Sequence, residues 1–247
     1  MIVTETKLRE ALTKSLDNSV WKKEGKNDKV RKFDETLDII VNLRDIDIKN
    51  PAHKLNSEFL LPHQITTPEQ FKLCFFTKED QLVAAKEYPN VDVCDIDALN
   101  DLNKKDAKTK KKFVRTYDSF IARMDLMRDV AKVLGRNLGQ AGKMPKPMPK
   151  GYGVVNPNDK VEDIVANFMR RIIVQTKRAP IVQTKFGRKS MDFDKNWENL
   201  DALMKFLEGH LPNGYSNVKS IILKTTMGQA VHVEEGELRR AKKGGRR

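Results

Sequence analysis

The chain has 247 residues, enough for one or two domains with a buried core. It carries 47 Lys and Arg against 34 Asp and Glu, a net charge of +13 at pH 7, so we expect a polyanionic partner such as nucleic acid. The charged N-terminus lacks an apolar leader, and no apolar run reaches the roughly 18 residues of a membrane span. These features predict a soluble intracellular protein with no membrane partner.

The first 65 residues predict one helix followed by two strands. Residues 4–16 place leucines on one helical face, with Thr4 as a plausible cap. A charged segment then leads into a strand over residues 33–43, and a second strand over 57–61 is stopped by a proline. Residues 66–68, Thr-Thr-Pro, mark a boundary, because the pattern of the sequence changes after them.

Residues 66–151 alternate between strand and helix patterns. The predicted strands cover 71–76, 91–96 and 117–122, and the predicted helices cover 78–87 and 124–134. Such alternation predicts a small parallel sheet with helices on its faces, a Rossmann-like βαβα domain. Between two of these elements lies a lysine cluster, which comprises Lys104, Lys105, Lys108, Lys110, Lys111 and Lys112.

The pattern of the first segment returns after the proline- and glycine-rich residues 135–153. The predicted elements are a helical face over 161–168, strands over 171–176 and 181–186, and a helix over 197–207. We therefore predict an α/β (α+β) protein with two domains and a hinge between them. Residues 1–65 and 152–235 form a discontinuous α/β domain, residues 66–151 form the inserted domain, and residues 236–247 form a disordered basic tail.

The most informative segment is residues 218–233, with the sequence VKSIILKTTMGQAVHV. Alternation predicts a strand over 218–225, a break at Thr226-Met227-Gly228, and a short strand over 230–233. The glycine has no Cβ to hold a partner away, and the methionine offers an adaptable apolar surface. The segment is therefore interpreted either as a ligand-contacting turn or as a plain hairpin turn over a core strand.

Three ordered sequence blocks carry a family resemblance. They are KFDET at residues 32–36, GKMPKP at 142–147, and TTMG at 225–228. With them the chain, from about residue 4 to 233, resembles the universal large-subunit ribosomal stalk protein family (the family numbered one in the large subunit), in an archaeal-like version. The resemblance implies a structural protein, not an enzyme, that binds large-subunit rRNA at the mobile stalk beside the tRNA exit site. It further implies contact with deacylated exit-site tRNA and repression of translation through binding of its own mRNA.

The resemblance also implies a set of rRNA-binding residues in the discontinuous domain. They are Lys32, Phe33, Thr36, Ser220, Lys224, Thr226, Met227 and Gly228. Lysines can neutralise phosphate, hydroxyls can bond 2′-hydroxyls, and the apolar side chains can pack on sugar and base. From the residues alone, a core aromatic at a strand start is the favoured interpretation of Phe33, and ordinary strand-edge charge is the favoured interpretation of Lys32 and Lys224.

Two further basic segments have less specific interpretations. Lys143, Lys146 and Lys150 lie on a proline-stiffened segment, which is either a basic hinge strap near RNA or a rigid connector. The tail after residue 235 has six basic residues and one acidic residue, and we expect it to add sequence-independent attraction to phosphate.

An enzyme reading finds little support in the sequence. Cys74 and Cys94 lie singly in apolar runs, the four histidines are scattered, and no metal or cofactor site is predicted. Gly135, Gly139 and Gly142 suggest a nucleotide-binding enzyme built on the inserted domain as the alternative. These glycines, however, follow a predicted helix that ends near residue 134, so Gly135 is expected to be its C-cap. No small-molecule substrate is predicted.

Overall fold

The computed structural model describes residues 5–18, 21–23, 26–29, 32–50, 53–67 and 71–233. The predicted cap Thr4 and the predicted basic tail lie outside these residues. The helices are α1 (Glu5–Asp17), α2 (Glu79–Lys86), α3 (Ile96–Lys104), α4 (Ala107–Thr116), α5 (Met127–Ala141), α6 (Val161–Arg170) and α7 (Phe193–His210). The strands are β1 (Trp21–Lys23), β2 (Lys26–Lys29), β3 (Thr36–Leu43), β4 (Asn56–Leu60), β5 (Leu73–Phe76), β6 (Val91–Cys94), β7 (Ser119–Arg123), β8 (Val154–Val155), β9 (Arg171–Gln175), β10 (Ile181–Arg188), β11 (Val218–Thr225) and β12 (Val231–Val233). None of the described helices is long and apolar enough to cross a membrane.

The chain divides into two compact units. The inserted unit runs from Thr66 to Arg171, and the discontinuous unit comprises Met1–Ile65 and Ile172–Arg247. The boundary predicted at residue 152 is therefore wrong, because the inserted unit also includes β8 and α6. β8 pairs in parallel with β7, and α6 packs in the same apolar cluster as Leu73 and Phe75 of β5. The apolar face of α6 was visible in the sequence, but an amphipathic pattern does not say which sheet the helix covers.

The discontinuous unit is built on an antiparallel sheet with the order β10-β3-β11-β12. Along β3 half-exposed and buried residues alternate, as the period of two requires. The buried residues Leu37, Ile39 and Val41 join a core formed with α1 and α7. A second, two-stranded sheet of β4 and β9 contributes to the same core, where Phe59 lies 4.5 Å from Phe206 of α7. The helices therefore cover one face of the four-stranded sheet.

The inserted unit is a three-layer α/β structure. Its sheet has the order β6-β5-β7-β8 with every pair parallel, which agrees with the predicted Rossmann-like architecture. All four residues of β5 are buried: Leu73 and Phe75 face a cluster with α6, while Cys74 and Phe76 face a cluster with α3, α4 and α5. A strand buried on both faces reads as a continuous apolar run, and this strand does.

Two local predictions in the inserted unit are wrong. The helix predicted to end at residue 134 continues to Ala141, because Leu138 extends its buried face one turn beyond Leu134. Gly142, with φ +67°, ends it, and the Lys143 amide donates to the Leu138 carbonyl at 2.9 Å. Gly135 thus lies inside α5, and these glycines do not open a helix after a strand as a dinucleotide site requires. Helices α3 and α4, which contain the lysine cluster except for Lys105 between them, were not predicted.

Both cysteines are buried free thiols in the inserted unit. Cys74 on β5 and Cys94 on β6 bring their Sγ atoms within 3.6 Å of each other. Burial raises the pKa of the Cys74 thiol well above its ordinary value. Among the described residues, no group of three or more His, Cys, Asp or Glu side chains is placed to hold a metal ion.

Candidate nucleic-acid interface

The second face of the four-stranded sheet carries none of the buried core side chains. We call it the open face, and its residues, each half-exposed or exposed, are Thr36, Asp38, Ile40, Asn42, Gln183, Lys185, Ser220, Ile222 and Lys224. The strand register arranges them in rows. Lys185, Asp38 and Lys224 lie side by side across β10, β3 and β11. The open face therefore combines cationic, hydroxyl, amide and aliphatic groups on a rigid backbone.

The predicted TTMG turn lies where β11 ends beside the start of β3. The Thr226 amide donates to the Thr36 carbonyl at 3.0 Å, and the two Oγ1 atoms lie 2.7 Å apart. The structure thus brings Thr36 and Thr226, 190 residues apart in the chain, into direct contact. Lys224 lies two residues before Thr226 on the open face, so these three predicted residues share one end of the sheet.

The predicted apolar side chains are exposed. Met227 is 63% exposed and Phe33 is 52% exposed, so the reading of Phe33 as a core aromatic is wrong. The backbone of Met227 is nevertheless fixed, because its amide donates to the buried Glu35 Oε2 at 3.2 Å. A constrained backbone that holds an apolar side chain in solvent is suited to a contact with another molecule.

Gly228 has a local packing role that differs from the predicted one. A Cβ on Gly228 would lie 2.2 Å from Thr225 Oγ1 and 3.2 Å from the Asn18 carbonyl oxygen. The missing side chain therefore makes room for the protein's own turn. Substitution of Gly228 would disturb the turn itself, so it does not isolate a contact with a ligand.

A network of polar side chains holds the segment that contains Lys32 and Phe33. Asp34 accepts hydrogen bonds from Ser190 Oγ at 2.8 Å and from the Ser190 amide at 3.1 Å, and forms an ion pair with Arg188 at 3.2 Å. The Arg188 Nε also donates to the Ile65 carbonyl. Lys32 itself is exposed, two residues before this anchor. The anchor limits the motion of the exposed residues that precede it.

Ser220 is partly engaged at the other end of β11. Its Oγ accepts a hydrogen bond from Asn42 Nδ2 at 2.7 Å. Because a hydroxyl has one proton and two lone pairs, the Ser220 O–H remains able to donate to a ligand oxygen.

Asp38 is a carboxylate in the middle of a basic row. Burial raises the pKa of Asp38, although the hydrogen bond from Thr36 and the charges of Lys224 and Lys185 oppose that effect. For Asp34, in contrast, burial alone would raise the pKa, but the bonds from Ser190 and Arg188 lower it below its ordinary value. The two aspartates therefore affect stability in opposite directions.

We expect Asp38→Asn to raise the melting temperature at pH 7 and Asp34→Asn to lower it. Asp38 binds its proton more tightly in the native state. The stability that protonated Asp38 contributes is therefore lost as the pH rises from the pKa of the unfolded chain, about 3.9, through the raised pKa of the native state. Asp34 stabilises above its unfolded pKa and loses this contribution as the pH falls through the lowered native value. Thermal unfolding between pH 3 and 7 tests both variants; shifts of the same sign at pH 7 would contradict the prediction.

The proline-stiffened segment belongs to the inserted unit, and Lys143 does not serve as a free basic group there. Its Nζ donates to the carbonyls of Val114 at 3.2 Å and Tyr117 at 2.6 Å, at the C-terminal end of α4. Lys143 is therefore a structural clamp, which corrects its predicted role in an RNA strap. Lys150 is exposed and Lys146 is half-exposed.

Sequence reasoning missed Glu35 and Arg188, which position the predicted residues. Glu35 had a detectable signal, which was overlooked: it has the same parity as the buried Leu37, Ile39 and Val41, and this places its carboxylate on the core side of the strand. For Arg188 the sequence contained no such signal, because its partners Asp34 and Ile65 are more than 120 residues away in the chain.

Comparisons with known proteins agree with this architecture. Residues 23–229 match the model of the ribosomal protein L1p/L10e family. The large ribosomal subunit protein uL1 of Thermoplasma volcanium is 34% identical over 209 residues, which cover 84% of this chain and 90% of the relative. The protein of the same name from Archaeoglobus fulgidus is 31% identical over 225 residues, covering 91% and 98%. The predicted resemblance, including its archaeal character, is confirmed, and the chain belongs to the L1p/L10e family of ribosomal proteins.

Proposed function

We propose that this chain is a structural component of the large ribosomal subunit in the cytoplasm and binds rRNA with its discontinuous unit. The contact surface is the open face together with the turn that contains Thr226 and Met227. Family membership supports the partner, since the relatives are named as large-subunit proteins. The single observation that carries the assignment of the surface is the turn itself, where hydrogen bonds to Thr36 and Glu35 fix a backbone that exposes Met227.

The chemistry of the surface suits folded RNA. Proteins recognise structured RNA mostly by shape and by contacts to phosphates and 2′-hydroxyls, because the deep major groove excludes side chains. Lys32 and Lys224 would neutralise phosphates, Thr226 and Ser220 would bond 2′-hydroxyls, and Phe33 and Met227 would pack against sugar and base. Phosphate contacts position the RNA, while the hydroxyl and apolar contacts select its shape.

The direct test is binding of the full chain to an rRNA fragment derived from the stalk. An unrelated RNA of tRNA size serves as competitor, at two salt concentrations. Tight binding that survives both competitor and higher salt supports a shaped site. Weak binding lost equally to any RNA contradicts the proposal, because non-specific attraction to phosphate is strongly reduced by salt.

Met227→Ala should weaken binding of this fragment about fivefold, or roughly 1 kcal/mol, with unchanged folding. The side chain is 63% exposed, so its removal leaves no cavity in the core. Met124 of the inserted unit, 60% exposed, offers a matched control, and Met124→Ala should bind like the wild type. Equal affinities of the two variants, measured by fluorescence anisotropy, would show that the Met227 side chain does not contact the RNA.

We further propose, on the family resemblance alone, that the chain lies at the mobile stalk and assists release of deacylated tRNA from the exit site. The same surface would bind a similar structure in the chain's own mRNA and repress its translation. A reporter that carries this mRNA's leader should lose expression when the protein is supplied, and the Met227→Ala variant should repress less.

A further inference from the structure

Helix α4 carries four cations on a single face. Lys108, Lys111, Lys112 and Arg115 are spaced by three, four and seven residues, and at 3.6 residues per turn they lie above one another. All four are exposed. The opposite side of the helix buries Val114, and the Phe113 ring lies 6.2 Å from that of Phe120 on β7. We call the four exposed residues the α4 stripe.

The positive charge of the α4 stripe is not neutralised by the neighbouring part of the described chain. Helix α4 has no acidic residue in its first turn, and none of the four cations forms an ion pair with a described carboxylate. Elsewhere in the lysine cluster, Lys104 pairs with Asp101 at 3.3 Å, and Lys110 Nζ donates to the Asn103 carbonyl at 3.0 Å. The stripe therefore differs from an ordinary solvated helix face, where charges of both signs usually alternate.

This arrangement opposes the stability of the isolated helix. Like charges three or four residues apart each cost a few tenths of a kcal/mol, and a lysine in the first turn opposes the helix dipole. The helix is held by other means: Val114 is buried, and Lys143 caps the carbonyls of Val114 and Tyr117 at its C-terminal end. An anchored helix with four unneutralised cations on one face is preorganised for an external polyanion.

We propose that the α4 stripe is a second RNA-binding surface, in the inserted unit, that contacts the phosphate backbone of an RNA helix. The stripe spans about 10 Å along the helix axis, enough to face several successive phosphates. Its neighbouring aromatic side chains, Phe113 and Tyr117, pack against Phe120, so the stripe has no stacking groups to read bases. Binding here is therefore independent of sequence. The inference rests on the proposed function only in taking RNA, and not an acidic protein, as the polyanion.

The test compares two variants of equal net charge in the full-length chain. The stripe variant replaces Lys108, Lys111, Lys112 and Arg115 with glutamine, which keeps helix propensity. The control variant replaces four exposed and scattered cations of the same unit with glutamine: Lys72, Lys86, Arg128 and Lys160. Binding to a 20-base-pair RNA duplex of arbitrary sequence is measured at several salt concentrations, after circular dichroism has shown that both variants keep the wild-type helix content and unfold cooperatively.

The stripe variant should bind the duplex at least fivefold more weakly than the control variant. The plot of log K against log salt should also be less steep for the stripe variant than for the control variant. The magnitude of its negative slope should be smaller by about three, since each phosphate contact contributes slightly less than one. Equal affinities and slopes for the two variants would overturn the inference, because they would show that only the net charge of the chain, and not the position of these four cations, affects binding. Stripe-dependent binding of polyglutamate without stripe-dependent binding of the duplex would also overturn it, in favour of an acidic protein.

A separate arm distinguishes this inference from the proposed function. Both variants should keep the wild-type preference for the stalk-derived fragment over an unrelated RNA competitor, because phosphate contacts do not specify sequence or shape and the open face is unchanged. If the wild type fails to select that fragment, the proposed function fails. The difference in duplex affinity between the stripe and control variants still tests whether the α4 stripe binds RNA.

Discussion

Gly187→Ala should lower the free energy of unfolding of the discontinuous unit by about 2–4 kcal/mol. Gly187 is buried on β10, and a Cβ there would lie 2.0 Å from Asn196 Oδ1 and 3.3 Å from Leu37 Cδ1. Asn196 is fully buried and bonds the Arg188 amide at 3.2 Å, the Arg188 carbonyl at 2.9 Å and the Met191 carbonyl at 3.2 Å. The new methyl group would displace this amide and leave its partners unsatisfied.

Chemical denaturation of the full chain measures the effect, and Gly209→Ala provides the control. Gly209 lies near the end of α7 in the same unit, and a Cβ there meets no atom within 4 Å. Alanine at an open helical position should stabilise by up to about 0.5–1 kcal/mol through the lower backbone entropy of the unfolded chain. If Gly187→Ala were as stable as Gly209→Ala, Asn196 would have to be free to move, contrary to its hydrogen bonds.

Glu35→Ala should destabilise the protein by about 1–3 kcal/mol and weaken binding of the stalk-derived RNA at least tenfold. The carboxylate is fully buried, and its Oε2 accepts the hydrogen bond from the Met227 amide. Without this acceptor the amide loses its partner and the turn loses the constraint that holds Met227 beside Thr36. RNA binding falls because the loosened turn must be ordered again on binding.

Glu35→Gln separates the geometry of this contact from its charge. The glutamine amide keeps an oxygen of the same reach, so the bond to Met227 can form, and both stability and RNA affinity should lie between those of the wild type and Glu35→Ala. Denaturant titration and anisotropy on the same preparations measure the two effects. Wild-type RNA affinity in Glu35→Ala would show that the position of the turn is irrelevant to binding.

The strands that carry the candidate site were predictable because alternation is a local property. β3 alternates over all eight of its residues, and β11 alternates over its last six, after an irregularity between Val218 and Ser220. Even the buried position of Glu35 follows from parity. Helix α4 escaped prediction because its buried face is narrow: Val114 is its only fully buried residue, and the surrounding lysines conceal the apolar period.

The contacts between predicted residues required the fold. The Thr36–Thr226 contact and the ion pair of Asp34 with Arg188 join residues 154 to 190 positions apart. The interpretation of Lys143 and Gly228 also depended on contacts with other parts of the fold. A lysine between prolines and a glycine in a turn look available in a sequence, but their neighbours are the α4 carbonyls and Thr225 Oγ1.

The sequence by itself determined the family, the alternating strands and the presence of an inserted α/β domain, because motifs and periodicity reside in consecutive residues. Only the tertiary structure decided that α6 belongs to the inserted unit, that Glu35 holds the Met227 turn, and that four cations of α4 form one unneutralised face. The physical reason is common to all three. An amphipathic or charged pattern specifies that a surface must be covered or neutralised, whereas the partner that does so is chosen by packing between distant parts of the chain.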